Sequence, residues 1–486
     1  MDSATPLSAV KSQDSSDHFD LIVVGSGVAS SFFLQGVLHG SRPPGRVLVL
    51  EAGGRFSHAE QLAERKAWTK ESHRHFVNRT PEKVWHFSRT FGGGTNCWFG
   101  TTPRMLPEDF QLRSRFGVGD DWPLTYDELE PFYTQAERLM QVSGEPEMPY
   151  RMSAPYPLPA HRFSEPDTLL KRAYPREFFH LPTARSSRLS VRPICCNNGV
   201  CSLCPVDAKF TITNGLAAIY EHPAVTLRVG SPARRLLHSA DTVTGVVFTD
   251  EAGVERRATA DLVVLGANAI FNPHLLLKSG IAHPGTGEGL CEQVGATAMI
   301  TLDGLQNLLG STVTTGLGFN DMFGEHRRER GAFLYHTVNR ATNLSLVPGR
   351  ELARLEVIVA IEDLRQASNR VTVDPREEMP IVEHPRHSAY AQRTVDQLPG
   401  LLARYLAPLP IVEFDVIRAR PTESHIQGTT VMGAKAATSV VDRHSVHHRM
   451  RNLVVLGSGT FPTASPANPT LTIAALALMS ASHLFS

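Results

Sequence analysis

Four of the six cysteines fall within ten residues of one another, and this cluster is the first feature of the sequence with the residue types for chemistry. The segment ICCNNGVCSLCPVDAKF has the spacing Cys-Cys-x4-Cys-x2-Cys-Pro, with its thiols at Cys195, Cys196, Cys201 and Cys204. Several thiolates converging from a short loop are what an iron–sulfur cluster or a zinc ion requires. The spacing therefore indicates metal or redox chemistry rather than a disulfide framework.

A second candidate site is the glycine-containing turn in VVGSGVASS. Gly25 and Gly27 let the backbone turn tightly beside a pyrophosphate, whose charge would face the N-terminus of the following helix. Ser30 occupies the position where a third glycine is usual. Glu51 ends the next apolar run, where a carboxylate accepts hydrogen bonds from ribose hydroxyls. These residues predict a dinucleotide-binding turn, and the alternative is a packed strand–helix turn that imitates one.

The elements that position this turn form a strand–helix–strand unit. FDLIVVG and RVLVLEAGG are short apolar runs typical of buried strands, with a helical segment and a Pro/Gly loop between them. RRATADLVVLGA and NLVVLGSGTFP predict further buried strands, and NPTLTIAALALMSASHLF predicts a closing helix. Such units build parallel sheets. Because they lie at both ends and in the middle of the chain, the nucleotide-type domain must be assembled from discontinuous segments.

Composition limits the classes of function. Lys plus Arg equals Asp plus Glu at 48 each, so no basic excess indicates a nucleic-acid partner or a membrane surface. Residues 1–17 are polar, lack a signal core and are expected to form a flexible tail. The apolar run near the C-terminus is too short for a confident membrane span and predicts a buried helix. We therefore expect a cytoplasmic protein, with export in company with a partner subunit left open.

Five motifs, in order along the chain, resemble those of the glucose–methanol–choline (GMC) flavin oxidoreductases. They are the glycine turn, FGGGTNCWFGTTPR, DWPLTYDELEPFY, LVVLGANAIFNPHLLLKSG and the C-terminal stretch from SHIQGTTVMG to TASPANPTLTIAALAL. The resemblance runs from about Phe19 to about Leu484. It is nearest to the branch of pyranose oxidase and the FAD-dependent glucose and gluconate dehydrogenase catalytic subunits. It implies an α/β (α+β overall) fold with a Rossmann-like FAD-binding domain and a substrate-binding domain built on an antiparallel sheet.

The resemblance implies FAD as the cofactor and assigns residues to it. The turn at Gly25, Ser26 and Gly27 would face the pyrophosphate, and Glu51 with Ala52 the adenosine ribose. Residues expected near the flavin are Gly93, Gly94, Thr95, Asn96, Cys97, Gly457, Ser458, Phe461, Pro469 and Thr470.

The resemblance also places the reaction centre at His425 and Asn468. Oxidising an alcohol requires proton removal from the hydroxyl and hydride transfer from its carbon to flavin N5. A neutral imidazole suits the first task, and the family has a base of this kind where this chain has His425 in SHIQGT. Asn468 would orient the substrate oxygen without titrating.

The chain departs from the related sequences at two cysteine positions. Relatives with a GGxxxHW pattern carry a flavin-linked histidine where this chain has Cys97, so a histidyl linkage is excluded there. A cysteinyl thioether is chemically possible, and a small buried thiol beside non-covalent FAD is preferred. The dehydrogenase branch carries a [3Fe–4S] cluster on a cysteine loop with three residues in its last spacing, whereas this chain has two. The loop at 195–204 therefore predicts an iron–sulfur cluster, a zinc ion or a set of thiols without a metal.

The sequence thus predicts a flavin dehydrogenase that oxidises an alcohol group, of a sugar or polyol for example. It would pass electrons to an acceptor other than O₂, such as an electron-accepting protein or small subunit. An oxidase that forms hydrogen peroxide is the alternative, and a non-catalytic FAD-binding subunit is a third hypothesis. The FAD-binding domain is expected over residues 18–110, 191–290 and 430–486. The substrate-binding domain and cap are expected over 111–190 and 291–429.

Overall fold

Two large β-sheets organise the fold of this computed structural model, which describes residues 17–64, 68–340, 348 and 352–486. In chain order the strands are β1 (Asp17–Val24), β2 (Val47–Leu50), β3 (Val77–Asn78), β4 (Ser143–Gly144), β5 (Leu158–Pro159), β6 (Phe178–His180), β7 (Val225–Arg228), β8 (Ala233–Ser239), β9 (Thr242–Thr249), β10 (Glu255–Leu265), β11 (Val294–Leu302), β12 (Thr314–Gly318), β13 (Phe333–Val338), β14 (Arg354–Ile361), β15 (Arg370–Thr372), β16 (Ile381–Glu383), β17 (Ile411–Ala419) and β18 (Leu453–Val455). The α-helices are α1 (Val28–Leu38), α2 (His58–Glu64), α3 (Leu112–Phe116), α4 (Tyr126–Met140), α5 (Glu165–Ala173), α6 (Ile212–Gly215), α7 (Asn268–Lys278), α8 (Ala389–Tyr405) and α9 (Thr470–Phe485). Short 3₁₀ turns lie at Trp68–His75, Gly93–Asn96, Pro107–Phe110, Ala217–Glu221, Glu325–Arg328 and Ser458–Thr460.

The seven-stranded sheet contains the predicted strand–helix–strand unit. Its order is β7-β2-β1-β10-β9-β8, with β18 pairing to β10. The pairs of β1 with β2 and β10, of β2 with β7 and of β10 with β18 are parallel. These strands come from both ends and the middle of the chain, and the buried run Leu21–Val24 of β1 is apolar throughout, as expected for a parallel sheet covered on both faces. The predicted Rossmann-like arrangement is confirmed.

Helix α1 packs closely on this sheet although the third glycine of its turn is missing. Ser30 on α1 lies directly against Gly266, the first residue after β10. A Cβ atom on Gly266 would lie 2.0 Å from the Ser30 Oγ atom. The residue without a side chain that allows the close approach therefore belongs to the neighbouring strand.

The second large sheet is antiparallel, in the order β17-β11-β14-β13-β12-β6. Alternate residues of a strand point to opposite faces. On β13, Phe333 and Tyr335 belong to the apolar core shared with α8, whereas His336 lies on the other face and lines the main cavity. On β14, Ile358 and Ala360 also line that cavity. One face of this sheet thus stabilises the domain, and the other forms a wall of the site.

Several local expectations are settled by these elements. Thr125 caps α4 and accepts a hydrogen bond from the Glu128 N–H, as its position before the acidic turn predicts. The expected tail lies outside the described residues except for Asp17, which instead begins β1. The apolar C-terminal run forms α9, and Gly36 of α1 packs against Ala481 within it. Among the described residues, no helix has both the length and the apolar composition needed to cross a bilayer. The predicted domain bounds stay a prediction.

Candidate active site

A cavity of about 620 Å³ lies between the two sheets and is lined by residues of both. Its volume falls in the range usual for cofactor and small-molecule sites. The structure brings most of the predicted site residues to its wall: Gly25, Ser26, Gly27, Glu51, Ala52, Gly93, Gly94, Thr95, Cys97, His425, Gly457, Ser458, Asn468, Pro469 and Thr470. Two predicted residues, Asn96 and Phe461, are not among the residues that line it.

The glycine turn is held in place by Glu51. One carboxylate oxygen of Glu51 accepts hydrogen bonds from the Ser26 N–H at 3.1 Å and from the Ser26 hydroxyl at 2.6 Å. The other oxygen accepts from the Gly53 N–H at 2.8 Å. Gly25 has a φ of +94°, and a Cβ atom there would lie 2.7 Å from the Gly266 carbonyl oxygen. The turn therefore needs glycine at position 25 for both conformation and space.

The wall beside this turn has the features that an elongated anionic cofactor requires. Gly27 caps α1 without any side-chain cap, and α1 has no acidic residue in its first turn. A Cβ atom on Gly27 or on Gly94 would meet no atom within 4 Å, so open space lies over both backbones. Helix α9 likewise begins without a side-chain cap at Pro469 and without an acidic residue in its first turn. Two helix N-termini that carry partial positive charge thus open on one cavity, which fits the pyrophosphate and the polar edge of the flavin in FAD.

Asn96 and Phe461 support the cavity from behind. Asn96 is buried, and its amide donates hydrogen bonds to the Thr90 hydroxyl and to the Phe91 carbonyl oxygen. Phe461 is 1% exposed and packs its ring 4.9 Å from the Trp122 ring. Both residues lie in the predicted motifs, but their side chains are buried in the protein and not on the cavity wall.

His425 and Asn468 come together from segments far apart in the sequence. The Asn468 amide nitrogen lies 3.3 Å from the His425 Nε2 atom. The Nδ1 atom of His425 lies 3.1 Å from the Gln293 side-chain oxygen. The Asn468 side-chain oxygen is buried and has no hydrogen-bond partner. The pair therefore places the His425 ring and the Asn468 amide side by side on the wall of the cavity.

Burial keeps the His425 imidazole neutral. Burial is the main cause that lowers the pKa of His425 to about 3, and the charges of Arg420 and His336 act in the same direction. A neutral imidazole near pH 7 has one unprotonated ring nitrogen, which is the state that a general base must have.

Three polar residues at the same end of the cavity were missed in the sequence. His336 comes from β13, Arg420 follows β17, and Glu423 precedes His425 by two residues. The Arg420 guanidinium forms a salt bridge with Glu423 at 3.0 Å, and burial raises the pKa of Glu423 to about 7. Burial lowers the pKa of His336 to about 3. The only sequence signal for His336 was that it is a polar residue inside an apolar strand. Such a residue does not show which face of the strand borders a cavity.

Cys97 lines the cavity as a half-buried thiol. Its sulfur lies 3.5 Å from the Gly94 carbonyl oxygen. Burial raises the pKa of Cys97, although the nearby Lys209 opposes the shift. A raised pKa disfavours the thiolate, and the thiolate is the nucleophile that a thioether bond to flavin would need.

The cysteine loop, residues 195–204, lies behind the Cys97 segment. Its four cysteines line a small concavity together with Arg185 and Lys209. All four thiols are free, and within the described ranges no group of three or more Cys, His, Asp or Glu side chains is placed to hold a metal ion. The prediction of an iron–sulfur cluster or zinc ion therefore gains no support from this arrangement.

Two buried cations join the cysteine loop to the cavity wall. The Lys209 ammonium donates to the carbonyl oxygens of Asn96, Trp98 and Cys201 at 2.8–3.2 Å. The Arg185 guanidinium donates to the Phe99 and Thr314 carbonyl oxygens and lies 3.7 Å from the Cys201 sulfur. The loop is thus bonded to the segment that carries Cys97.

Large apolar side chains are exposed around the same loop. Of the exposed large apolar residues in the described chain, five lie between positions 189 and 206: Leu189, Val191, Ile194, Val200 and Val206. Leu189 is 74% exposed and Val191 is 77% exposed. Exposed apolar side chains are typical of protein-interaction sites where they form a contiguous patch.

Comparison with known proteins adds family information to this geometry. Residues 353–477 match the family model described as GMC oxidoreductase. The chain is 27% identical to the fructose dehydrogenase large subunit of Gluconobacter japonicus, over 81% of this chain and 80% of that protein. It is 28% identical to 6'''-hydroxyparomomycin C oxidase of Streptomyces lividus, over 96% and 92% of the two chains. The solved structure of pyridoxine 4-oxidase has a similar fold, with a TM-score of 0.67 at 16% identity, over 96% of this chain and 99% of that one.

Proposed function

This chain is a GMC oxidoreductase, and from that premise we propose that His425 removes the hydroxyl proton of an alcohol substrate while Asn468 holds the same oxygen. FAD, when bound between the glycine turn and the α9 N-terminus, supplies the hydride acceptor. Proton removal and orientation of the substrate oxygen are carried out by side chains of this chain. The substrate class that fits the family and the polar cavity end is an alcohol group of a sugar or polyol.

The observation that supports this proposal is the contact between His425 and Asn468 on the cavity wall. Burial lowers the pKa of His425, so its ring is neutral near pH 7 and has one unprotonated nitrogen, which we assign to Nε2. The Asn468 amide nitrogen lies beside that nitrogen, so its N–H group can donate a hydrogen bond to the substrate oxygen whose proton His425 accepts. As the substrate enters, its hydroxyl replaces the amide as the partner of Nε2 and transfers its proton there.

The test uses flavin absorbance to measure anaerobic reduction of the flavin by a panel of sugars, polyols, aryl alcohols and sterols. His425→Ala should retain FAD and lose about 10²- to 10⁴-fold in the rate of flavin reduction, as expected for loss of a general base. His447→Ala is the matched control, because His447 is also buried with a lowered pKa but does not line the cavity. Undiminished reduction in His425→Ala would show that the proposed base is wrong.

For the electron acceptor, we propose a protein or quinone-type acceptor rather than O₂. Two observations support this. The exposed apolar residues around 189–206 offer a docking surface, and Lys209 bonds the Cys201 carbonyl oxygen of the same loop to the segment at the cavity. The name of the Gluconobacter relative, a large subunit, is consistent with a partner protein. An oxidase remains the second candidate because the Streptomyces relative is named one.

The two candidates differ in the product formed in air. A dehydrogenase reduces dye or quinone acceptors rapidly and forms little hydrogen peroxide, whereas an oxidase forms hydrogen peroxide in a one-to-one ratio with the substrate oxidised. Iron analysis of the purified holoprotein belongs in the same experiment. Iron bound in a fixed ratio to the chain, and lost in a Cys201→Ser variant, would reinstate the cluster predicted for the cysteine loop.

A further inference from the structure

We propose that Gln293 is a positioning residue that holds His425 in the tautomer with its proton on Nδ1, which leaves Nε2 as the proton acceptor. This inference rests on the proposed function of His425 as the base. Gln293 is not part of any motif noted in the sequence and does not line the cavity. It acts through His425 alone.

The orientation of the Gln293 amide is determined by its surroundings. Its NH₂ group donates to the Ser465 carbonyl oxygen at 2.7 Å and to the Ala467 carbonyl oxygen at 3.1 Å. A carbonyl oxygen can only accept, so rotating the amide by 180° would place three oxygens against one another. Gln293 is 1% exposed, so water cannot compensate for such a rotation.

The fixed amide determines the state of the imidazole. With its nitrogen committed to two carbonyls, Gln293 presents only its oxygen to the Nδ1 atom of His425, 3.1 Å away. That oxygen also accepts from the Gln427 side-chain nitrogen at 3.2 Å. The Nδ1 atom must therefore be the donor, and in a neutral ring Nε2 then carries the lone pair. The Asn468 amide, a donor at 3.3 Å from Nε2, is consistent with the same assignment.

The same side chain joins the two segments that carry the reaction centre. Ser465 and Ala467 precede Asn468, so the Gln293 bonds to their carbonyl oxygens tie the Asn468 segment to the His425 ring. Glu292, the preceding residue, accepts from the backbone N–H groups of Glu423 and His425 at 3.2 and 3.4 Å. Residues 292 and 293 thus hold His425 by its backbone and by its ring.

The charged and titratable groups described around His425 do not bond to its Nδ1 atom, so they do not take over the role of Gln293 as acceptor. Arg420 and His336 both disfavour the imidazolium, and Glu423 is paired with Arg420. Glu292 is paired with Lys83 and reaches His425 only at its backbone N–H. Among the described residues, Gln293 is the acceptor bonded to the Nδ1 atom.

The first test is direct observation of the tautomer in the holoenzyme. In protein labelled with ¹⁵N-histidine, His425 should show a protonated Nδ1 and an unprotonated Nε2, and the spectrum of His425→Ala identifies its signals. The opposite tautomer in the wild-type protein would overturn the proposal, whatever the variants do.

The second test is Gln293→Met, which keeps the length of the side chain and removes its acceptor and donors. We expect the other tautomer to appear in the spectrum. The limiting rate of flavin reduction should fall about 10- to 100-fold, by analogy with residues that orient metal-binding histidines. The substrate concentration at half-saturation should change little.

Gln427→Met is the matched control, because Gln427 is equally buried and its side-chain nitrogen bonds to the same Gln293 oxygen and not to the His425 ring. It should keep the wild-type tautomer and lose less rate than Gln293→Met. An unchanged tautomer and rate in Gln293→Met would overturn the proposal, and if that variant fails to fold, the wild-type spectrum still decides. A failure of the proposed function would be seen separately, as undiminished flavin reduction in His425→Ala.

Discussion

The wall around His425 and the cysteine loop, which is bonded to the Cys97 segment, are stabilised in different ways. At His425, a carboxylate and an amide side chain make the main contacts: Glu292 pairs with Lys83, and Gln293 bonds to both His425 and the Asn468 segment. At the cysteine loop, the buried cations Arg185 and Lys209 bond mainly to carbonyl oxygens. Neither cation forms a salt bridge within the described residues.

The difference shows that the two regions are stabilised by different kinds of interaction. An ammonium group held only by carbonyl dipoles is less well compensated than one paired with a carboxylate, and burial accordingly lowers the pKa of Lys209 to about 8. Apolar side chains next to this loop face solvent. The base region is therefore stabilised by an ion pair and side-chain hydrogen bonds, whereas the cysteine loop has buried cations without carboxylate partners in the described chain and apolar side chains that face solvent.

The largest expected effect comes from breaking the pair on the base side. Glu292→Ala would leave the Lys83 ammonium buried without its carboxylate and remove the acceptor for the Thr422 hydroxyl. Such a loss typically costs about 3–5 kcal/mol in the free energy of unfolding, measurable by urea denaturation. Adding Lys83→Met should recover part of it, and a loss below about 1 kcal/mol in Glu292→Ala would show that the pair is not needed.

The next largest effect is a loss of folding stability at acidic pH, to which we expect both regions to contribute. Burial lowers the pKa of His336, beside the base, to about 3 and that of His161, whose ring bonds to the Arg185 carbonyl oxygen, to about 4. The unfolded chain therefore binds more protons than the folded one below the ordinary histidine pKa. Stability is present above about pH 6.5 and is lost as the pH falls toward those values.

Each of these two histidines contributes up to about 1.4 kcal/mol per pH unit in that window. His336→Gln and His161→Gln should each flatten the dependence of unfolding free energy on pH between about 6.5 and 4. Equal slopes in wild-type and variant proteins would contradict the lowered pKa of that histidine.

A smaller difference in stability is expected between serine variants of two cysteines of the loop. Cys201 is buried against Arg185, whereas Cys196 is exposed. Cys201→Ser replaces a buried sulfur that packs with Val313 and Val338 by a smaller hydroxyl and should cost about 1–3 kcal/mol. Cys196→Ser should change the unfolding midpoint very little. Equal losses in thermal unfolding would mean that the two thiols share one structural role.

The smallest effect on stability is expected at the exposed apolar surface. Combining Leu189→Ser, Val191→Ser and Ile194→Ser should alter the free energy of unfolding by no more than about 0.5 kcal/mol per site, because each side chain is largely solvated. Reduction of a small dye should be unchanged. Reduction of a cytochrome c used as a protein acceptor should slow, and equal slowing with the dye would argue against a docking role.

Local signals allowed much of this structure to be predicted from the sequence. The glycine turn, the Thr125 cap and the buried strands depend on neighbours in the chain, and the structure has each of them. His336 and Gln293 were not predicted, because strand register and tertiary packing bring them to His425. The path of the cysteine loop was not predictable either, because spacing states how many residues separate two thiols and not where their side chains point.

The contact between Ser30 and Gly266 has a consequence for how nucleotide-binding turns are recognised. The close approach of helix and strand requires one residue without a side chain, but it does not require that residue to be on the helix. Here the small residue belongs to a segment distant in the sequence, and the helix carries a hydroxyl instead. The third glycine is thus a property of a pair of facing positions, so a change on one side can be compensated on the other without altering the turn that meets the cofactor.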